Sequence, residues 1–102
     1  MARYWLAFDL GFGADYDELF EWLDEKDAKE CTPNVATFTT SKSVKTIQEE
    51  LSDVLSDNKK ARLYIVFNKQ GETAGRWIVG KRKAAPWAGF FIPESEQEED
   101  ED

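Results

Sequence analysis

The chain has 102 residues, 41% hydrophobic and 14% aromatic, with 21 acids, 13 bases and a net charge of −8. That length makes one domain able to bury a core, and the absence of histidine excludes Ser-His-Asp and Cys-His nucleophiles, imidazole acid–base chemistry and most zinc sites. With Cys31 the only cysteine, no apolar run of bilayer length and no basic-then-apolar leader, a reduced, cytoplasmic protein with no membrane partner is expected.

Residues 3–10 predict the first strand. Tyr4, Leu6, Phe8 and Leu10 fall on one face, and Arg3, Trp5, Ala7 and Asp9 on the other. Both faces are largely apolar before Asp9, which suggests a central strand covered on both sides, at least in part. Gly11 and Gly13 break it, and Asp15 is a candidate N-cap for a helix over roughly 15–27. Tyr16, Leu19, Phe20 and Leu23 recur at helical spacing, and acids cover the outside. Two short strands follow, near 29–32 and 35–40, joined by a turn at Pro33-Asn34. Ser41 or Ser43 can cap a second helix near 43–57, whose stripe is Val44, Ile47, Leu51, Val54 and Leu55. "ARLYIVFN" at 61–68 reads as a strand buried on both faces. "KQGETAG" reads as a turn, and "RWIVGKRK" at 76–83 as a fifth strand antiparallel to the fourth. "AAPWAGFF" is a short apolar segment that must dock on something.

The order β-α-β-β-α-β plus a C-terminal strand predicts an α+β fold of the ferredoxin-like, split βαβ kind. It would have an antiparallel sheet with two helices on one face. The domain would span residues 1–92, and 93–102 has the composition of a disordered acidic tail. If Leu6 and Phe8 face the helices, Trp5 lies on the open face, where self-association is the simplest cover.

The net charge conceals a polarity. Residues 93–102 carry seven acids and no base, leaving 14 acids and 13 bases in the rest of the chain. Within that remainder, residues 1–58 sum to −8 and residues 59–92 to +7. A basic surface is compatible with the low isoelectric point. The densest cluster is Lys81, Arg82 and Lys83. With Arg76 it forms the candidate nucleic-acid-binding set, and a solvated strand end is the competing reading. Trp77 and Trp87 offer faces for stacking on bases, but such tryptophans are more often core or interface.

"YWLAFDLGFGADYDELFEWL" resembles the opening of the CRISPR-associated protein two superfamily, which also includes VapD-type toxins and a SinR-like branch. "TTSKSVKTIQEELSDVLSDNKKARLYIVF" and "WAGFF" fit that last branch, so the resemblance covers roughly residues 3–91. It implies a ferredoxin-like homodimer. In that family the aspartate ending the first strand lies near the dimer axis and is a ligand for a divalent metal in the nucleases of the group. Carried over, this makes Asp9 the candidate catalytic and metal-binding residue, with Mg²⁺ or Mn²⁺ as cofactor and RNA or DNA as substrate. Trp5, Trp77, Trp87 and Phe90 become the candidate dimer interface. The stretch after Asp9, "GFGADYDE", departs from the basic residues that the adaptation proteins often carry there.

One carboxylate is a poor Mg²⁺ site, although a two-fold axis would bring two copies of Asp9 together. The alternative is that Asp9 ends the strand and accepts hydrogen bonds from loop amides. Three functions follow: a Cas-two-like dimer that binds nucleic acid, with weak or absent nuclease activity; a non-catalytic interaction or scaffold module; or an acidic inhibitor that mimics nucleic acid.

Overall fold

The computed structural model describes residues 1–82. Five strands and two helices alternate as β1 (Ala2–Asp9), α1 (Asp17–Glu25), β2 (Lys29–Thr32), β3 (Val35–Thr40), α2 (Val44–Val54), β4 (Arg62–Lys69) and β5 (Glu72–Val79). The strands form one sheet in the order β2-β3-β1-β4-β5, every neighbouring pair antiparallel. The chain is therefore a small α+β unit, compatible with a ferredoxin-like arrangement.

β1 occupies the centre of the sheet, as its two apolar faces predict, but the helices cover only one face, so neither β1 nor β4 is buried on both. Its even positions Tyr4, Leu6 and Phe8 join Ala36 and Phe38 of β3, and Leu63, Ile65 and Phe67 of β4, in one buried cluster. Leu19, Trp22 and Leu23 of α1 and Ile47 and Leu51 of α2 complete that cluster, so both helices cover the same face. Burying side chains of this size is worth roughly 1.5–3 kcal/mol each. The core is therefore the main driving term for the fold.

Local chemistry sets the helix ends. Asp15 stands just before α1 and its Oδ1 accepts from the Asp17 amide at 2.8 Å, while Asp17 and Glu18 suit the positive end of the dipole. At the other end Asp27 adopts φ 54°, and the Asp27 and Ala28 amides donate to Asp24 and Leu23. This is a Schellman closure with aspartate where glycine is commoner. Ser43, rather than Ser41, caps α2 by accepting from the Thr46 amide at 3.2 Å.

Two expectations are corrected. The stripe of α1 runs through Leu19, Trp22 and Leu23, whereas Phe20 is 49% exposed. Trp22 wins the inward position because its ring meets Phe38 edge-on at 5.3 Å and its Nε1 donates to Glu50 at 3.0 Å, which satisfies the polar edge. β5 begins at Glu72, not at residue 76, and ends at Val79. Gln70 (φ 53°) and Gly71 (φ 86°) form a two-residue reversal of the type that suits strand twist, leaving Thr73–Gly75 to pair with β4. The expected apolar segment at 84–91, the domain end at 92 and the acidic tail at 93–102 lie outside the described residues.

Candidate functional site

The face of the sheet away from the helices is where alternation sends Arg3, Trp5, Ala7 and Asp9 of β1, Val35 and Thr37 of β3, Arg62, Tyr64 and Val66 of β4, and Trp77 of β5. Trp5 is 38% exposed. Tyr64 and Trp77 are register partners, with ring centroids 5.1 Å apart in an edge-to-face pair. Tyr64 leans across Gly75, where any Cβ would run into its ring, so the glycine lets an aromatic lie flat over the edge strand. The apolar floor of this face is therefore built by Trp5, which is exposed, and by Tyr64, Val66 and Trp77, which are half-buried.

Asp9 sits at the end of that floor. Its cross-strand partner is Arg62, whose Nη2 donates to Asp9 Oδ2 at 2.8 Å, and its Oδ1 accepts from the Gly11 amide at 2.9 Å. Gly11 can turn back onto the carboxylate because it adopts φ 93°. Ala7, Phe8, Asn34, Val35, Tyr64 and Trp77 close a shallow depression of about 200 Å³ around the pair.

The donor set of this site does not fit a divalent cation. It offers one carboxylate, both of whose oxygens accept hydrogen bonds, next to a guanidinium that repels a cation. Among the described residues no three His, Cys, Asp or Glu side chains group together. A two-fold axis that brought a second Asp9 close would bring a second Arg62 with it. No catalytic step through a metal follows from this geometry.

Sequence reasoning did not single out Arg62. The signal was available in its place at the start of an apolar strand, but pairing it with Asp9 requires the β1–β4 register. The same fold gathers a basic cluster that sequence spacing divides. Lys59, Lys60, Arg62 and Lys81 line a depression of about 510 Å³ at one end of β4 and β5. Gly80 makes this possible: it adopts φ 78°, and a Cβ there would stand 2.7 Å from the Ala61 carbonyl oxygen. Lys81 and Arg82, both exposed, follow directly. Arg76 stands apart from them, since its Nη1 donates to Gln48 Oε1 of α2 at 3.3 Å. The candidate residues Lys83, Trp87 and Phe90 lie outside the described residues.

A third polar group ties the helices together. Glu50 accepts from Trp22 Nε1 and pairs with Lys42 and with Lys26, the latter at 3.3 Å. Burial alone would push the Glu50 carboxyl up, but the hydrogen bonds from Lys42, Trp22 and Lys26 outweigh it and hold the group below the ordinary carboxylate range. The bond to Glu50 likewise pushes Lys42 up. Lys26 also lies over the Trp22 ring, 4.9 Å from its centroid. This cluster is a partly exposed strut between α1, α2 and the end of β3, on the side away from the open face.

At the tip of the loop after β1, Phe12 is fully exposed between two glycines of positive φ. Cys31 is an exposed thiol. No helix among the described residues is long and apolar enough to cross a membrane. Compared with known proteins, the chain matches no family model, no curated protein and no solved structure.

Proposed function

We propose that this chain is a ferredoxin-like, Cas-two-like module that works as a cytoplasmic homodimer, with the open sheet face as its interface and no metal-dependent nuclease activity at Asp9. The observation that carries this reading is the aromatic floor of Trp5, Tyr64 and Trp77 on a sheet face that no element among the described residues covers. Apolar area of this kind on a small sheet is best removed from water by a copy of itself, because a two-fold axis covers both patches with one contact. The face also carries both members of the Asp9–Arg62 pair, so it is self-complementary in charge. The strand order β2-β3-β1-β4 supports the split βαβ topology, and the resemblance to the Cas-two superfamily implies the dimer.

The engagement of Asp9 by Arg62 and the Gly11 amide favours an interaction module over a nuclease. A second reading, phosphate-backbone binding, is favoured by the basic depression formed by Lys59, Lys60, Arg62 and Lys81. That surface is at the end of the sheet, so a dimer can still present it.

Sedimentation equilibrium tests the dimer. The wild-type chain is expected to dimerise at tens of micromolar, a concentration at which a standard-size interface of roughly 1,600 Å² holds together. Trp5→Glu is expected to yield a folded monomer. A monomeric wild type, or a Trp5→Glu variant as dimeric as the wild type, would overturn the interface. Nuclease activity with Mg²⁺ or Mn²⁺ that vanishes in Asp9→Asn would overturn the non-catalytic reading.

A further inference from the structure

The aromatic row of α1 continues past the core to the surface. Tyr16, just before the helix, and Phe20, one turn later, have ring centroids 5.4 Å apart, and Phe20 meets Phe8 of β1 edge-on at 6.1 Å. The Tyr16 hydroxyl accepts from the Leu10 amide at 3.1 Å, which fixes the far end of the row. Phe20 is thus braced on two sides, yet it is 49% exposed. A ring held in this way loses little rotamer freedom when a partner covers it.

Beside Phe20, between α1 and the edge strand β2, lies a slot of about 240 Å³. Phe8, Phe20, Leu23, Ala28, Pro33 and Val35 give it apolar walls. Its volume falls below the range of cofactor and small-molecule pockets, roughly 300–1,000 Å³, and suits the insertion of one large side chain. The rim is acidic. Asp24 and Glu30 line the slot, and both are exposed. Asp17 and Asp24 flank Phe20 at helical spacing on the same surface of α1, and the exposed Glu21 is the next residue. The base in the walls is Lys29, whose Nζ pairs with Asp27 at 3.1 Å. Lys26 and Lys42 are engaged by Glu50.

We propose that the slot between α1 and β2 is a docking site for a basic peptide segment of a partner protein. The segment inserts one large apolar side chain beside Phe20 and sets its lysines or arginines against Asp17, Glu21, Asp24 and Glu30. The anchor supplies affinity by leaving water for apolar walls, and the charges supply partner choice and association rate. A cation over the exposed face of Phe20 adds a cation–π contact. The same rim repels acidic segments. The slot lies on the helix side of the sheet, away from Trp5, Tyr64 and Trp77, so this inference goes beyond the dimer reading and does not depend on it.

The probe is a fluorescein-labelled peptide with a central phenylalanine flanked on both sides by lysines. Anisotropy with the full chain at low salt is expected to show saturable binding. Phe20→Ala is expected to weaken it on the order of tenfold, as truncation of an anchor contact does. Asp24→Asn combined with Glu30→Gln changes two exposed positions and is expected to weaken it by several-fold. That second loss is expected to shrink at about 1 M salt, where the Debye length is about 3 Å. Peptides with glycine in place of the phenylalanine, or glutamates in place of the lysines, are expected not to bind. In amide ¹H–¹⁵N spectra, shifts on adding the probe are expected in 20–24 and 28–35.

No binding of the probe would overturn the proposal, as would shifts confined to other residues. Wild-type affinity in the Asp24→Asn, Glu30→Gln variant, or equal binding of the glutamate peptide, would overturn the basic partner. Wild-type affinity in Phe20→Ala, or equal binding of the glycine peptide, would overturn the anchor; the peptide arm decides this even if Phe20→Ala fails to fold. Sedimentation without peptide covers the remaining occupant. A smaller oligomer for the Asp24→Asn, Glu30→Gln variant than for the wild type would assign the slot to a second copy and overturn the proposal.

Discussion

The two faces of the sheet come from the same five strands and meet different fates. On one face Leu6, Phe38, Leu63 and Ile65 are at most 2% exposed, closed over by α1 and α2. On the other, one residue along each strand, Trp5 is 38% exposed and Tyr64 and Trp77 stack edge-to-face half-buried. Apolar content alone does not separate them. The separation comes from the two crossover helices, both of which return on the same side. A small α+β sheet is thus stable with one face closed, and the face left uncovered is where a partner can act.

The sharpest way to break the comparison is to remove matched apolar groups from each face. Leu6→Ala opens a cavity under both helices and is expected to cost about 3–4 kcal/mol in urea denaturation. Trp5→Ala, one residue away on the open face, is expected to cost the isolated protomer less than half of that. Equal losses would mean that the open face is packed within the single chain.

Next in size is the hinge that delivers Lys81. Gly80→Ala places a Cβ 2.7 Å from the Ala61 carbonyl oxygen at a backbone φ of 78°. It is expected to cost about 1–3 kcal/mol, seen as a lower thermal midpoint. A neutral result would show that β5 can move away from β4 without loss.

The strut behind the core gives a smaller, pH-dependent effect. The folded Glu50 carboxyl is held below its ordinary range, chiefly by Lys42, Trp22 and Lys26 against the opposing pull of burial. Its stabilisation is therefore present above the ordinary carboxylate pKa and is lost as pH falls through the depressed folded value. Glu50→Gln is expected to cost about 1 kcal/mol at neutral pH, the worth of one net hydrogen bond, and to flatten the acid limb of a stability–pH curve. An unchanged acid limb would place the acid sensitivity elsewhere.

The smallest effect is expected at the pair that first draws the eye. Asp9 and Arg62 side chains are 51% and 30% exposed, so solvent screens their attraction. Asp9→Asn keeps an acceptor for the Gly11 amide and is expected to shift stability by less than about 1 kcal/mol. A larger loss would show that Asp9 holds the end of β1 against β4 rather than decorating it.

Much of the architecture was legible in the residues. Alternation in "YWLAFDL" placed Trp5 opposite Leu6, and the stripe Ile47, Leu51 and Leu55 named the buried face of α2. Periodicity failed at Phe20 and Trp22 because both lie near the edge of the apolar stripe. Which one turns inward depends on Phe38 and Glu50, residues from other elements. It failed again at β5, because "GETAG" is poor in strand formers and pairs only because Gln70-Gly71 reverses the chain tightly and Tyr64 covers Gly75.

The sequence by itself determined the order of strands and helices, the breaks at Gly11 and Gly13, the lack of histidine chemistry and the sorting of charge along the chain. Those features depend on local period, local dihedral preference and composition, which act within a few residues. Only the tertiary structure decided that Arg62 neutralises Asp9 across 53 positions of sequence, that Arg76 faces α2 while Lys81 joins Lys59 and Lys60, and that Trp22 is core. Each of these outcomes is set by strand register and by which elements share a layer. A side chain's partner is then chosen by distance in space, a quantity that local sequence preference does not contain.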